Sequence, residues 1–411
     1  MASRVIFFGM NFAGFGDFKE IYFIRMTGGV LKKILLYFGP KRAFVQLLPT
    51  EPAWTSLTAL ALRSDARQRE HVFRIQGRKQ GESTTEEMLQ TPVGNVVAFS
   101  DEYAALSESA IQGFLAFISQ FEIDTLYLQN PPAYLMDRFA KLDVDVEIGK
   151  YQYQSINKKI LLKLDTVYEH RIFGQPKVLE ALLTALFPLT RGDRAKPVTM
   201  LFYGPTGSGK TETARLIGEL VGQPLFRKQL SMFNSSDYAS YLFGGRHSQI
   251  CLAKELMERE SNVLLFDEFD KPNPVFHSAF YQLFDEGIYC DRNYHVEVRA
   301  AIIVCTTNYE SADAAARHLG LPLFSRFDAI VPFVSLPAEA NRAIVRREYD
   351  AQIAKLSVHE RQDVQNANIL EVLLENANTY CHARHVKQAV RDAVSSFLVA
   401  RLRKNWHTSC L

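Results

Sequence analysis

The chain has 411 residues, with 47 basic and 45 acidic side chains, a formal charge of +2 and 47% apolar residues. That length is a prior for two or three domains, and the composition excludes a disordered, collagenous or coiled-coil chain. A charge so near zero gives no general drive toward nucleic acid or membrane, so either partner would need a local patch.

Five cysteines, Cys251, Cys290, Cys305, Cys381 and Cys410, are scattered and odd in number. They contain no Cys-x-x-Cys pair. Neither a disulfide framework nor a zinc knuckle is favoured, and reduced thiols in a cytoplasmic protein are the expectation. No signal-peptide pattern opens the sequence. Val5 to Ile24 is apolar, but Asp17, Lys19 and Glu20 interrupt it, so it is not read as a spanning helix. Arg25, Lys32, Lys33, Lys41 and Arg42 accompany Leu35, Leu36, Tyr37 and Phe38. Peripheral membrane contact is thereby left open, and the core of a small domain is the favoured reading.

Residues 1–157 read as one α/β or α+β unit. Strand-like runs are Val5–Phe8, Ile21–Ile24, Val72–Ile75, Val96–Phe99 and Thr125–Leu128; Ser107–Gln120 and Ala133–Leu142 read as helices. Residues 78–87 are polar and loop-like. This third of the chain carries no chemical motif.

From about Leu161 short apolar strands alternate with amphipathic helices. The strands are Val198–Tyr203, Leu225–Leu230, Val263–Phe266, Ala301–Cys305 and Ala329–Phe333. The helices are Ala214–Leu220, Ile250–Met257 and Pro274–Asp285. Strands without polar alternation are covered on both faces, as in a parallel sheet flanked by helices. The expected domains are an α/β domain over 158–336 and a helical domain over 337–411, the latter built from Ala338–Leu356, Ile369–Tyr380 and Ala383–Arg403.

Gly204-Pro205-Thr206-Gly207-Ser208-Gly209-Lys210-Thr211 matches G-x-x-x-x-G-K-[ST] between a strand and a helix. Gly204, Gly207 and Gly209 let the backbone N–H groups curl toward one anion, and the helix start adds positive charge. Lys210 is expected on the β and γ phosphates of ATP, with the Thr211 hydroxyl on Mg²⁺. Asn262-Val-Leu-Leu-Phe-Asp267-Glu268 is a buried strand ending in two carboxylates. Asp267 is expected to help hold Mg²⁺, and Glu268 to polarise the attacking water as general base. A third strand runs into Thr306-Thr307-Asn308, where Asn308 can orient that water.

From Arg171 onward, more than half of the chain, the sequence resembles AAA+ ATPases. Within them it is similar to the Clp unfoldase and disaggregase clade, especially the second ATPase ring of the disaggregases. Arg171-Ile172-Phe173-Gly174-Gln175 resembles the clade's entry motif. Asp267-Glu-Phe-Asp-Lys-Pro-Asn-Pro274 resembles its acidic strand end. Asp285-Glu-Gly-Ile288 with Val296-Glu-Val-Arg299 resembles its hairpin, Leu323-Phe-Ser-Arg326-Phe-Asp328 its arginine-finger box, and His382-Ala-Arg384 its second sensor.

The resemblance implies a P-loop sheet of order 5-1-4-3-2 with a helical lid, and nucleotide between them. Ile172 and Phe173 would contact adenine. Arg384 would reach the γ-phosphate of its own subunit, and Arg326 that of a neighbour. A finger acting in trans makes a ring, a hexamer by family habit, the functional unit. The clade's Gly-Tyr-Val-Gly pore loop is missing. The corresponding stretch, Tyr241 to Ile250, is shorter, so Arg246 and His247 are expected at the pore, while Tyr238 and Tyr241 read as packing residues. ATP-driven remodelling of a macromolecule recognised by residues 1–157 is the first reading. An ATP-controlled assembly switch that recruits an effector, as in a defence system, and a nucleic-acid-handling ATPase are the alternatives.

Overall fold

The computed structural model describes residues 31–51, 53–76, 91–192, 194–232 and 235–409. The expected strands Val5–Phe8 and Ile21–Ile24 and the polar stretch 78–87 lie outside them. The chain divides into two units between Lys150 and Tyr151, so residues 151–157 go with the second.

In chain order the first unit contains β1 (Leu31–Phe38), α1 (Lys41–Val45), β2 (Trp54–Ser56), α2 (Leu57–Gln76) and β3 (Thr91–Ala98). Then come α3 (Glu108–Gln112), α4 (Phe114–Ile118), β4 (Phe121–Gln129), α5 (Ala133–Phe139) and β5 (Asp145–Lys150). The five strands form one sheet of order β2-β3-β4-β1-β5, parallel throughout. Its core is built from Ile34, Leu36, Val96, Leu126 and Leu128, all buried. This is α/β architecture.

Two sequence expectations are corrected here. Val72–Ile75 is not a strand but the end of α2. That helix runs 20 residues without Gly or Pro and is rich in Ala, Leu, Arg and Gln, and helical continuity carries the short apolar run along. Ser107–Gln120 is not one helix: Gly113 ends α3 and precedes α4. The described part of the basic cluster fits the favoured reading as the core and rim of a small domain. Lys32, Lys33 and Lys41 pair with Asp124, Glu147 and Asp101, while Leu36 and Tyr37 are buried.

At the C-terminal ends of β1 and β4 a buried amide knot ties the strands. Asn130 accepts the Gly39 N–H at 2.9 Å and returns a donor to the Gly39 carbonyl at 3.0 Å. Gln129 adds a second donor to that carbonyl at 3.0 Å. Every buried polar atom named here has a partner, as a close-packed strand end requires.

The second unit begins with α6 (Lys158–Arg171), α7 (Pro176–Leu186), β6 (Val198–Tyr203), α8 (Lys210–Val221), β7 (Phe226–Gln229), α9 (Ser235–Phe243), α10 (Leu252–Met257) and β8 (Val263–Asp267). It continues with α11 (Tyr281–Glu286), β9 (Ile288–Cys290), β10 (His295–Glu297), β11 (Ile302–Thr306), α12 (Ala312–Leu319), α13 (Leu321–Phe324) and β12 (Ala329–Pro332). Strands β6, β8 and β11 are almost wholly apolar and buried, the pattern of a sheet covered on both faces. The parallel order is β12-β6-β11-β8-β7. Counting these five strands by sequence gives 5-1-4-3-2. Strands β9 and β10 form a separate antiparallel hairpin.

Four helices close the chain: α14 (Ala338–Ile353), α15 (Val358–Asn366), α16 (Ile369–Glu375) and α17 (Ala383–Ser409). Val345, Val364, Val386 and Val390 form their own core. Helix α15 is polar and gives little periodic signal; its start is fixed by a capping box between Ser357 and Glu360. Among the described residues, no helix is long and apolar enough to cross a membrane.

Candidate functional site

The ends of β6, β8 and β11 meet at the glycine loop. Gly204, Gly207 and Gly209 all have positive φ, at 130°, 74° and 112°. A Cβ on residue 204 would lie 2.0 Å from the Phe333 carbonyl oxygen, so only glycine fits beside the exit of β12. The loop opens α8, whose first-turn amides have no helical acceptor and can face an anion.

Lys210 is buried beneath the loop. Its ammonium donates to the carbonyls of Gly204 at 2.7 Å and Pro205 at 2.9 Å, and to Asn308 Oδ1 at 3.2 Å. Burial lowers its amine to about 8; Asp267 and Asp270 oppose the fall and Arg384 adds to it. The Thr206 hydroxyl also donates to Asn308 Oδ1, at 3.4 Å. Loop, lysine and strand-end asparagine thus form one cluster.

Asp267 ends β8 and is buried. The Thr306 hydroxyl donates to one carboxylate oxygen. The other takes Arg227 Nη2 at 2.6 Å and Nε at 3.1 Å. Thr211 Oγ1 lies 3.4 and 3.5 Å from the two oxygens. A hydroxyl and a carboxylate converging beside the loop are hard oxygen donors, and that chemistry suits Mg²⁺. Glu268 follows in the left-handed region, φ 57°. Its backbone N–H donates to Thr306 Oγ1 at 3.1 Å, and its carboxylate accepts from Gln229 Nε2 at 3.2 Å.

Arg227, Gln229 and Thr306 were not singled out from sequence. The first two come from β7, where Gln229 lies in register with Asp267. Only the sheet order brings them there; Thr306, two residues before Asn308, was the one local signal.

Ile172 is buried, with Cγ2 3.5 Å from where a Cβ on residue 209 would be. Phe173 instead packs on the C-terminal helical core, with the Arg347 guanidinium 5.4 Å from its ring centroid. Gln175, the last residue of the entry motif and given no role of its own from sequence, is buried and joins two segments. Its Nε2 donates to the carbonyls of Ser208 at 3.3 Å and Val334 at 2.7 Å, and its Oε1 accepts the Val334 N–H at 3.1 Å.

The start of α17 closes the other side of the loop. The Ala383 N–H donates to the Gly207 carbonyl at 3.3 Å. A Cβ on residue 207 would lie 2.8 Å from that of His382. Arg384 follows, exposed, with no hydrogen bond or ion pair among the described residues. Arg326 stands apart from this cluster, beside Asp285 and Tyr281.

The stretch Tyr241–Ile250 corrects one expectation. Arg246 is exposed, but His247 is 5% exposed and lies edge-on to Tyr294, ring centroids 6.1 Å apart. The cause is that the segment is tied down. The Tyr289 hydroxyl donates to the Leu242 carbonyl at 2.6 Å, Arg292 N–H to the Phe243 carbonyl at 3.0 Å, and Asn293 Nδ2 to the Gly245 carbonyl at 2.8 Å. Tyr238 and Tyr241 are packing residues, both buried in the main core of this unit.

A glycine loop between β6 and α8, an acid-tipped β8 and an Asn after β11, set on a sheet of this order, define a P-loop nucleotide-binding domain of AAA+ type. Residues 195–366 match the family model described as AAA domain (Cdc48 subfamily), and this part of the chain is similar to the AAA+ domains of Clp-type proteins. A ClpA homolog protein of Fuscovulum blasticum is 29% identical over 251 residues, covering 53% of this chain and 32% of the relative. Chaperone protein ClpB of Chlamydia pneumoniae is 30% identical over 219 residues, covering 44% of this chain and 25% of the relative. The ClpL ATP-binding subunit of an ATP-dependent Clp protease in Staphylococcus aureus (strain bovine RF122 / ET3-1) is 28% identical, covering 55% of this chain and 37% of the relative. The chain therefore spans about a quarter to two fifths of the length of these curated relatives. A solved structure described as the closed state of Hsp104 with ATPyS and FITC casein shares the fold at 14% identity and TM-score 0.52. That match covers 91% of this chain and 89% of the other.

Proposed function

We propose that this chain hydrolyses ATP and uses the cycle to remodel a macromolecule, with the first unit, residues 1–150, recognising the substrate or partner. One observation carries the reading: Lys210, Thr211, Asp267 and Asn308 are drawn to the same glycine loop by direct contacts. That is the donor set a triphosphate needs. Loop amides and Lys210 bind the phosphates, and Ile172, packed beside Gly209, would contact the base. Glu268 is half-buried at the end of β8 and takes a proton from attacking water. Asn308 orients that water, and Arg384 adds charge at the γ-phosphate. Thr211 and Asp267 would hold a magnesium ion, which would neutralise charge on the β and γ phosphates. Arg326 is the finger supplied to the next subunit, in a ring expected to be hexameric.

The test is the Glu268→Gln variant, which should bind nucleotide, stop phosphate release and retain the partner. ATP turnover at the wild-type rate in this variant would overturn the assignment. Motor action further requires that wild-type turnover be coupled to displacement or unfolding of the retained partner.

A second reading has its own support. The segment 242–245 is hydrogen-bonded to the β9–β10 hairpin, which suits an assembly switch better than a gripping loop. In that reading Glu268→Gln locks the chain in an active, partner-recruiting assembly instead of abolishing function.

A further inference from the structure

Arg326 is held in its own chain by a bracket on α11. Tyr281 and Asp285 are four residues apart and so share one face of that helix. The Arg326 guanidinium lies 4.4 Å from the Tyr281 ring centroid. Its Nε donates to Asp285 Oδ2 at 2.8 Å, and its Nη1 to the Pro322 carbonyl. Among the described residues Nη2 has no hydrogen-bond partner. The neighbouring backbone is fixed as well: Phe327 packs against Phe284 of the same helix, ring centroids 5.4 Å apart. Leu283 and Phe284 anchor α11 in the core at 0% and 1% exposure.

We infer that Asp285 and Tyr281 are positioning residues for Arg326, fixing two of its three nitrogens so that Nη2 is presented to the triphosphate bound by an adjacent copy of this chain. The inference rests on the ring ATPase reading. Three features support it. A guanidinium is a rigid planar fork, so holding Nε and Nη1 sets the direction of Nη2. The side chain of Asp285 is 46% exposed, so solvent screens the pair and Arg326 keeps an effective positive charge. The ring face of Tyr281 holds the cation without using any of its N–H donors. A long side chain ordered beforehand loses less entropy when it meets the phosphate.

The experiment uses the full chain with Asp285→Ala, Tyr281→Leu and Asp285→Asn, each mixed with Lys210→Ala subunits. Asp285→Ala and Tyr281→Leu should each lower kcat about tenfold, with nucleotide affinity and melting temperature unchanged. Asp285→Asn, which keeps an acceptor oxygen, should retain most of the turnover. Lys210→Ala subunits bind no nucleotide but carry an intact finger, so mixing them in should restore turnover at the Asp285→Ala sites. A merely structural defect would not be rescued this way. Unchanged or raised turnover in Asp285→Ala overturns the inference, the raised case meaning that Asp285 withholds the finger. Arg326→Ala run alongside separates the two levels. If it neither loses turnover nor is rescued by Lys210→Ala subunits, the ring reading fails; if it does both and Asp285→Ala does not, only the bracket fails.

Discussion

The hydroxyl of Thr306 serves Asp267 and Glu268 at once, donating to the first residue's carboxylate and accepting the second residue's backbone N–H. One side chain at the end of β11 therefore fixes both acids at the end of β8. Thr306→Val keeps the shape and removes the hydroxyl. It should lower ATP turnover about tenfold or more through misplacement of Glu268. The buried groups left short of a partner should cost about 1–3 kcal/mol of stability. Denaturant unfolding and a phosphate-release assay measure the two effects; wild-type turnover in this variant would refute the positioning role.

Nucleotide affinity should depend on pH through Lys210, whose amine burial lowers to about 8. Above that value the free protein loses the ammonium, and binding a triphosphate must restore it. Affinity should fall by at most about tenfold per pH unit on the alkaline side. Folding runs the opposite way. Between about 8 and the ordinary 10.5 the unfolded chain holds the extra proton, so this residue's contribution to stability rises with pH. Titrations of nucleotide binding from neutral to alkaline pH check the first sign, with Lys210→Met as a pH-independent control of weak affinity.

Gln175 spans the loop and the exit of β12 from a fully buried position. Gln175→Ala leaves the Ser208 and Val334 carbonyls short of a donor and should cost about 1–3 kcal/mol. Nucleotide affinity should fall with it, because Ser208 belongs to the phosphate loop. A variant as stable as wild type by thermal melting would show that water or a rearranged backbone replaces those bonds.

Acid sensitivity should appear at Asp328. Burial pushes its carboxyl up, but hydrogen bonds from Arg194 and Thr199 and the charges of Arg194 and Lys196 outweigh that and hold it below the ordinary 3.8. A lowered folded value means the stabilisation is complete above the ordinary value and is lost as pH falls through the folded one. The melting-temperature gap between wild type and Asp328→Asn should be widest near neutrality and close below about pH 3.8. A gap that stays constant into acid would contradict the ion-pair account.

What the sequence made legible was whatever has a local mechanism. The glycine loop, the acid-tipped strand and the uniform burial of β6, β8 and β11 are written in contiguous residues. The strand order came with the family resemblance those residues carry. What stayed hidden depends on distant pairings. Arg227 reaches Asp267 because β7 lies beside β8, and His247 is buried against Tyr294 in a segment tied to the β9–β10 hairpin. In the first unit the Val72–Ile75 run was misread because four residues of strand-like composition say nothing about the helix that already encloses them.

The peptide at residue 207 is shared by two bodies, its carbonyl bonded to the first amide of α17 and its α-carbon too close to His382 for any side chain. Glycine there leaves no slack between the loop and the helix. A ligand seated in the loop would therefore bear directly on the start of the last helix, and tilt of the C-terminal bundle would serve as a mechanical gauge of what the cradle contains.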